Sequence, residues 1–211
     1  MSKGTRARKK RPSSYHHGDL KAALVACATD ILRKKGPEAL TLRSVSEAAG
    51  VSVAAPYRHF ADRRELMAAV AEEGFRGMRE AMMAAMQKGG REGLRGVAQA
   101  YVRFAHENPA VYRVMFGPEV ADNSDLPALR ETARSVLGFV AQGMSELQKA
   151  GMIGPGDPAL MAVVTWAQLH GLAMLSLDGQ STGVAPSLDA QVQEATRIMM
   201  FGMAPRTNQG T

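Results

Sequence analysis

The chain has 211 residues, of which 45% are hydrophobic, a formal net charge of +6 and a single cysteine. This length and composition allow one or two helical cores to be buried, and the lone cysteine excludes an internal disulfide. The N-terminus is basic and lacks the apolar run of a signal peptide, so we expect a reducing, cytoplasmic compartment.

The first 14 residues form a basic tail. It carries six basic side chains and no acidic one, so it accounts for the whole net charge of +6 (26 basic minus 20 acidic residues). A segment this polar cannot pack, and we expect it to be disordered. Two interpretations stay open: the tail contacts DNA phosphates or the minor groove, or it is only a solubilising terminus. The basic residues are Lys3, Arg6, Arg8, Lys9, Lys10 and Arg11.

A first helix is predicted over Asp19 to Lys35, because its apolar residues recur at helical spacing and Gly36-Pro37 ends it. Cys27 lies on the apolar face, which favours core packing over redox chemistry. His16 and His17 lie just ahead of the helix without partner ligands in the sequence. We therefore predict no metal site.

A helix-turn-helix is predicted from Thr41 to Phe60. Thr41 is a suitable N-cap, and Gly50 can adopt the positive φ that the turn needs. Ser52 is placed to cap a second helix through Tyr57 to His59. A helix in this second position enters the major groove of DNA in proteins with this motif. An ordinary helical hairpin is the alternative.

The stretch AAGVSVAAPYRHFADRREL resembles the signature of the TetR family of bacterial transcriptional regulators. The resemblance implies that Ser52, Val53, Ala54 and Ala55 lie near the bases. It also implies that Thr41, Tyr57, His59 and Arg63 contact phosphates. Val53-Ala54-Ala55-Pro56 departs from the family's polar recognition helices, so thymine methyl groups and Arg58 are candidate means of base recognition.

Helical periodicity continues to the end of the chain, so the fold class is all-α: a helix-turn-helix domain (15–65), a helical regulatory and dimerisation domain (66–204) and a flexible tail (205–211). A helix from Arg63 to Met86 should join the two domains. Further helices are predicted over Glu92 to Asn108, from Pro109 to Phe116 and from Leu129 to Gly151, with a loop from Val120 to Asp125.

The segment Pro158 to Leu177 contains no charged residue. A membrane span is rejected, because Thr165, Gln168, His170 and Ser176 would lie in hydrocarbon and no basic residue flanks the segment. A helix that is apolar all round must be covered by protein, and a second subunit is the economical cover. We expect this helix and the last one, Leu188 to Met203, to form a four-helix dimer interface. A glutamate at Leu169 or Ala173 should break it, unless that position faces its own core.

Trp166, His170 and Gly171 are similar to the Trp-His-Gly signature of one TetR-like C-terminal subtype. The three residues either pack at a helix crossing or line a ligand cavity. Twelve of the 14 methionines lie between Met78 and Met203, which suits an adaptable ligand site but also an irregular core. The candidate ligand-binding residues are Trp166, His170, Met82, Met86 and Met115.

These features together predict a homodimeric, ligand-responsive repressor that binds a pseudo-palindromic operator and responds to an unidentified small molecule. No catalytic or cofactor motif is present in the sequence, so we expect neither a cofactor nor an enzyme. Two alternatives stay open: an architectural DNA-binding protein without a ligand, and a small helical enzyme that uses His170.

Overall fold

The computed structural model describes residues 17–181, 183 and 187–202. The predicted basic tail, His16, Met203 and the C-terminal tail lie outside these residues. Within them the chain forms nine α-helices and no β-strand, which confirms the predicted all-α fold class. The helices are α1 (His17–Lys35), α2 (Leu42–Ala49), α3 (Arg63–Met86), α4 (Gly90–Glu107), α5 (Pro109–Met115), α6 (Pro118–Ala121), α7 (Pro127–Lys149), α8 (Pro158–Leu177) and α9 (Leu188–Gly202).

Helices α1 and α2 and the start of α3 form the N-terminal head. Thr41 caps α2 in a capping box with Ser44: the Thr41 hydroxyl accepts a hydrogen bond from the Ser44 amide at 2.9 Å, and the Ser44 hydroxyl accepts one from the Thr41 amide at 3.0 Å. Gly50 ends α2 with φ 67°, as the turn requires. Asp62 caps α3 by accepting a bond from the Glu65 amide at 2.9 Å. The predictions for Thr41 and Gly50 are confirmed.

The second helix of the predicted motif is shorter than expected. Ser52 does not cap an α-helix through His59; the chain instead makes turns over residues 53–55 and a 3-10 helix over Pro56–Arg58. Pro56 has no amide hydrogen, so it cannot donate the bond that would start an α-helix on the Ser52 carbonyl. That carbonyl accepts from Ala55 at 2.9 Å, in the tighter i to i−3 pattern.

Helix α3 joins the head to the body. Its residues Leu66, Met67 and Val70 are buried with the head, whereas Phe75, Met78 and Met82 are buried with the body. Gly74 allows α5 to approach closely, because a Cβ there would lie 2.6 Å from the Met115 sulfur and 2.8 Å from a Val111 methyl. One hydrophobic cluster therefore runs from the head into the body through α3.

The body consists of α4 to α9. The predicted loop from Val120 to Asp125 starts later than expected, because α6 includes Val120 and buries its side chain. Helix α7 contacts both α3 and α8, and α9 lies against α4 and α8. The Ser187 hydroxyl accepts a bond from the Ala190 amide at 3.1 Å and so caps α9. This arrangement leaves one side of α8 uncovered.

Candidate nucleic-acid interface and ligand cavity

The recognition segment, residues 52–59, presents an exposed surface at the end of the head. The side chains of Ser52, Val53, Ala54, Tyr57 and Arg58 are exposed, with Val53 at 52% and Tyr57 at 57%. The side chains of Ala55 and His59 are partly exposed, and Pro56 is buried beneath them. The turn at Val53 and the 3-10 helix that follows it thus expose an apolar valine and a phenol together.

Thr41 lies on the same head at the start of α2 and is exposed. Its oxygen accepts the capping bond, so its hydroxyl hydrogen stays available as a donor. The positive end of the α2 dipole coincides with this hydroxyl, and a helix N-terminus favours an anion. The geometry suits the predicted phosphate contact.

Arg63 and Arg64, at the start of α3, point towards the rest of the protein. Arg63 donates to the carbonyls of Leu40 and Pro37, both at 2.9 Å, and lies 3.7 Å from a carboxylate oxygen of Glu119. These bonds occupy part of the guanidinium that the sequence assigned to a phosphate. The Arg63 assignment stays a prediction.

Arg64 forms a fork of hydrogen bonds with α6 and the segment that follows it. It donates to both carboxylate oxygens of Asp125, at 2.6 and 2.8 Å, and to the carbonyls of Glu119 and Asp122, at 3.0 and 2.5 Å. The guanidinium lowers the pKa of the Asp125 carboxyl, and the Asp125 bond raises the pKa of Arg64. Residues 119–125 of the body are thereby fastened to the beginning of α3.

The body encloses a cavity of about 410 Å³ between α3, α4, α7, α8 and α9. This volume lies within the range of ~300–1,000 Å³ typical of small-molecule sites. Among the predicted ligand residues, Met82, Met115 and Trp166 line the cavity, whereas Met86 and His170 are not among its lining residues. The remaining wall is mostly apolar and includes Phe75, Met78, Phe116, Leu129, Val140 and Met144.

His170 belongs instead to a chain of hydrogen bonds beside the cavity. The Trp166 indole, which can only donate, bonds to the Tyr101 oxygen at 3.0 Å. Tyr101 can then donate to Tyr112 at 2.9 Å, and Tyr112 to Nδ1 of His170 at 2.8 Å. This order makes Nδ1 an acceptor, so a neutral imidazole carries its hydrogen on Nε2.

Burial keeps this chain of groups neutral. It raises the pKa of Tyr101 to about 12 and raises the pKa of Tyr112 further. Desolvation lowers the pKa of His170, which favours the neutral ring that the Tyr112 bond requires. Hydrogen bonds therefore connect Trp166 to His170 through two tyrosines that the sequence patterns did not single out.

One face of α8 is apolar and exposed. Leu160, Val163, Val164 and Leu175 are 61%, 40%, 59% and 48% exposed. A Cβ at Gly171, between them on the helix, would meet no atom within 4 Å. Leu169 and Ala173 are 3% and 0% exposed, so both candidate interface positions were wrong: they face the subunit's own core.

By length and composition α8 could also cross a membrane, and 22% of its most apolar window is buried. A single helix of this kind is weak evidence for a span, because core and interface helices have the same composition. Groups of three or more potential metal-ligating side chains do not occur among the residues that the structure describes.

Several residues of these sites were missed by the sequence patterns. Arg64 and Asp125 are 61 positions apart, and so their pairing has no local signal. Arg130 and Arg134 line the cavity but repeat on α7 like ordinary surface residues. The only available hint for Tyr101 was a phenol on the apolar face of a predicted helix.

Two family models match the chain. One described as bacterial regulatory proteins of the tetR family matches residues 24–70, and one described as a tetracyclin repressor-like C-terminal domain matches residues 94–199. A search of the curated proteins gives no match.

Among solved structures, a protein of unknown function from Rhodococcus sp. RHA1 is 35% identical, with a TM-score of 0.81 over 92% of this chain and 100% of that chain. A TetR family transcription regulator from Marinobacter aquaeolei VT8 is 19% identical, with a TM-score of 0.66 over 90% and 97%. The fatty acid degradation regulator FadR from Bacillus halodurans is 14% identical, with a TM-score of 0.71 over 94% and 100%. The last two share the fold. The two matched family models show that this chain belongs to the TetR family of DNA-binding transcriptional regulators.

Proposed function

We propose that this regulator is a ligand-responsive repressor that binds a pseudo-palindromic operator as a homodimer. The observation that carries the proposal is that the wall of the apolar cavity includes Val120, Ala121 and Asn123, in the segment that Arg64 fastens to the head. A molecule in the cavity would thus touch the same segment that positions the start of α3. We infer a cytoplasmic protein without enzymatic activity, as is typical of the family.

The proposed DNA contacts come from the head, with domain limits of 15–65 and 66–204. Val53, Ala54 and Arg58 would face the bases, with Ser52 and Ala55 beside them. The hydroxyl groups of Thr41 and Tyr57 and the imidazole of His59 would contact phosphates. The exposed Val53 suits a thymine methyl group, and Arg58 can donate to a guanine edge. Two heads must lie ~34–36 Å apart to reach successive major grooves.

The proposed dimer interface uses the exposed face of α8 together with α9. Leu160, Val164, Gly171 and Leu175 follow one another at spacings of four or seven residues and so share a face. A contiguous apolar face of this kind marks an interaction site. Ile198 of α9, 52% exposed, would extend the surface. A two-fold axis along this surface gives the four-helix interface expected from the sequence.

The proposed switch operates through α3. A ligand that binds better to one position of α3 than to another shifts the population of the two, and only this difference in affinity can do so. Phe75, Met78 and Met82 of α3 line the cavity directly. A coupling of ~1–3 kcal/mol would weaken operator binding ~5–150-fold.

Selection of bound sequences from a random DNA pool tests the proposal first. An operator with two related half-sites one helical turn apart supports the homodimeric head arrangement, whereas sequence-independent binding supports an architectural protein. Titration of the recovered operator complex with a panel of small apolar molecules then tests the response. Molecules that bind one per subunit yet leave operator affinity unchanged would show a cavity without a switch.

A further inference from the structure

The cavity has a polar end and an apolar end. Arg130 and Arg134 lie four residues apart on α7, so their side chains share a face at its N-terminal end. Val140 and Met144 line the cavity further along the same helix, where Met144 also packs with Leu94 in a separate apolar cluster. The ten residues from Arg134 to Met144 span about 15 Å of helix.

Most other polar groups in the wall are already used within the protein. The Trp166 indole donates to Tyr101 at 3.0 Å, and the Thr196 hydroxyl donates to the Val192 carbonyl at 2.7 Å. Tyr101 continues its own chain to Tyr112 at 2.9 Å. These groups keep their bonds whether or not a ligand is present, so they offer little to attract one.

Arg130 and Arg134 differ from these groups, because most of their hydrogen-bond donors are not used within the part of the chain that the structure describes. Arg130 reaches the Ser124 carbonyl only at 3.4 Å, and among the residues that the structure describes neither Arg130 nor Arg134 lies within 4.0 Å of a carboxylate oxygen. Arg130 is partly buried and Arg134 is exposed. Their donors are therefore available at the mouth of the cavity.

The charged side chains in the cavity wall are positive. Among the residues that the structure describes, the wall contains two arginines and no Asp or Glu. The nearby Asp125 is committed to Arg64, with the two oxygens of its carboxylate both bonded. The first turn of α7 carries no acidic residue, so the positive end of its dipole is not offset there. Glu131 is exposed on α7 and forms no ion pair with either arginine.

We propose that the cavity takes an anionic amphiphile: an unbranched apolar chain that lies along α7 towards Met144, with a carboxylate or comparable acidic group on Arg130 and Arg134. Planar guanidinium groups bind carboxylates through paired hydrogen bonds, and an apolar wall of this length accepts a chain but not a second charge. This proposal identifies the class of ligand that the cavity would bind, and it rests on the proposed function of a ligand-responsive repressor.

Three twelve-carbon probes test the assignment on the full chain: dodecanoate, dodecanol and dodecyltrimethylammonium, each below the concentration at which it forms micelles. Binding is followed by the fluorescence of Trp166, the single tryptophan, which lies in the cavity wall, and by calorimetry for one site per subunit. We expect dodecanoate to bind at least about tenfold more tightly than dodecanol, and the ammonium probe most weakly.

The double variant Arg130→Gln/Arg134→Gln should abolish the preference for dodecanoate over dodecanol and leave dodecanol binding unchanged. The double variant Arg91→Gln/Arg95→Gln is the matched control, because it removes the same charge from exposed positions on α4 outside the cavity wall. This control should keep the preference.

Equal or tighter binding of dodecanol or the ammonium probe would overturn the ligand class, as would an unchanged preference in the Arg130/Arg134 variant or no binding by any probe. Operator affinity is measured separately. If dodecanol released the operator and dodecanoate did not, the anionic ligand class would be refuted but the ligand-responsive repressor would be supported. If dodecanoate bound tightly through both arginines without releasing the operator, the anionic ligand class would be supported and the ligand-responsive repressor would be refuted.

Discussion

A glutamate on the exposed face of α8 should have a different consequence from a glutamate on the face that packs into the core. Val164 is 59% exposed in the subunit and belongs to the proposed interface, whereas Ala173 is 0% exposed and faces the core. Val164→Glu should therefore give a folded monomer, and Ala173→Glu should unfold the subunit. The two variants differ only in the face of one helix that receives the charge.

The expected loss of dimerisation free energy follows from the two-fold symmetry of a dimer. An uncompensated buried charge costs ~3–5 kcal/mol, and a symmetric interface receives the Val164→Glu charge twice. A loss of about 6 kcal/mol raises Kd by ~10⁴, so a dimer with Kd of ~1 nM would dissociate at low micromolar concentration. In the core, one buried charge removes much of the free energy of unfolding, which is typically ~5–15 kcal/mol.

Sedimentation velocity at micromolar concentration measures the oligomeric state, and circular dichroism measures the helical content. Wild-type protein should sediment as a dimer and Val164→Glu as a monomer with unchanged helical content. A well-folded wild-type monomer would refute the reasoning, and so would a Val164→Glu dimer as tight as the wild type.

Four further predictions concern the head, the buried chain and the fork. Tyr57→Phe should weaken operator binding by ~0.5–3 kcal/mol at fixed salt without changing thermal stability, and unchanged affinity would contradict the phosphate contact. Thr41→Ala should lower the free energy of unfolding in urea by ~0.5–2 kcal/mol, through loss of the capping box; an unchanged urea midpoint would contradict this. Because the pKa of His170 is lowered on folding, the unfolded chain binds more protons near pH 6, so stability should decrease as pH falls from 7.5 through 6.5, and less so in His170→Gln; identical pH profiles would count against it. Arg64→Gln should reduce, but not abolish, the effect of a bound ligand on operator affinity.

Local chemistry made the helix boundaries of the head predictable. Thr41, Gly50 and Asp62 each act on their own backbone within a few residues, so the sequence pattern contains the whole interaction. Pro56 shows the limit of this reasoning. Its missing amide restricts where a helix can begin, but the choice between an α-helix and a 3-10 helix also depends on the packing of the buried Pro56 and Phe60.

The faces of α8 could not be predicted for a related reason. A helix without charged residues has no polar side to mark its exposed face, so the sequence indicated burial but not direction. Leu169 and Val164 are both apolar, and the positions of α4, α7 and α9 around α8 distinguish them. The bond from Tyr112 to His170 likewise joins residues 58 positions apart, and the bond from Trp166 to Tyr101 joins residues 65 positions apart. Helical periodicity does not contain such pairings.

The expected partial effect of Arg64→Gln follows from where the fork lies. The Arg64 side chain is 34% exposed and that of Asp125 is 65% exposed. Ion pairs in such positions contribute little free energy, because water and salt screen them. The buried contacts of α3 with the cavity, through Phe75, Met78 and Met82, are shielded from water and cannot adjust without moving the helix. Most of the coupling should therefore pass through this packing, with Arg64 fixing the direction in which α3 moves. If Arg64→Gln abolished the ligand effect while leaving ligand binding and operator binding intact, the fork rather than the packed helix would be the main connection between cavity and head.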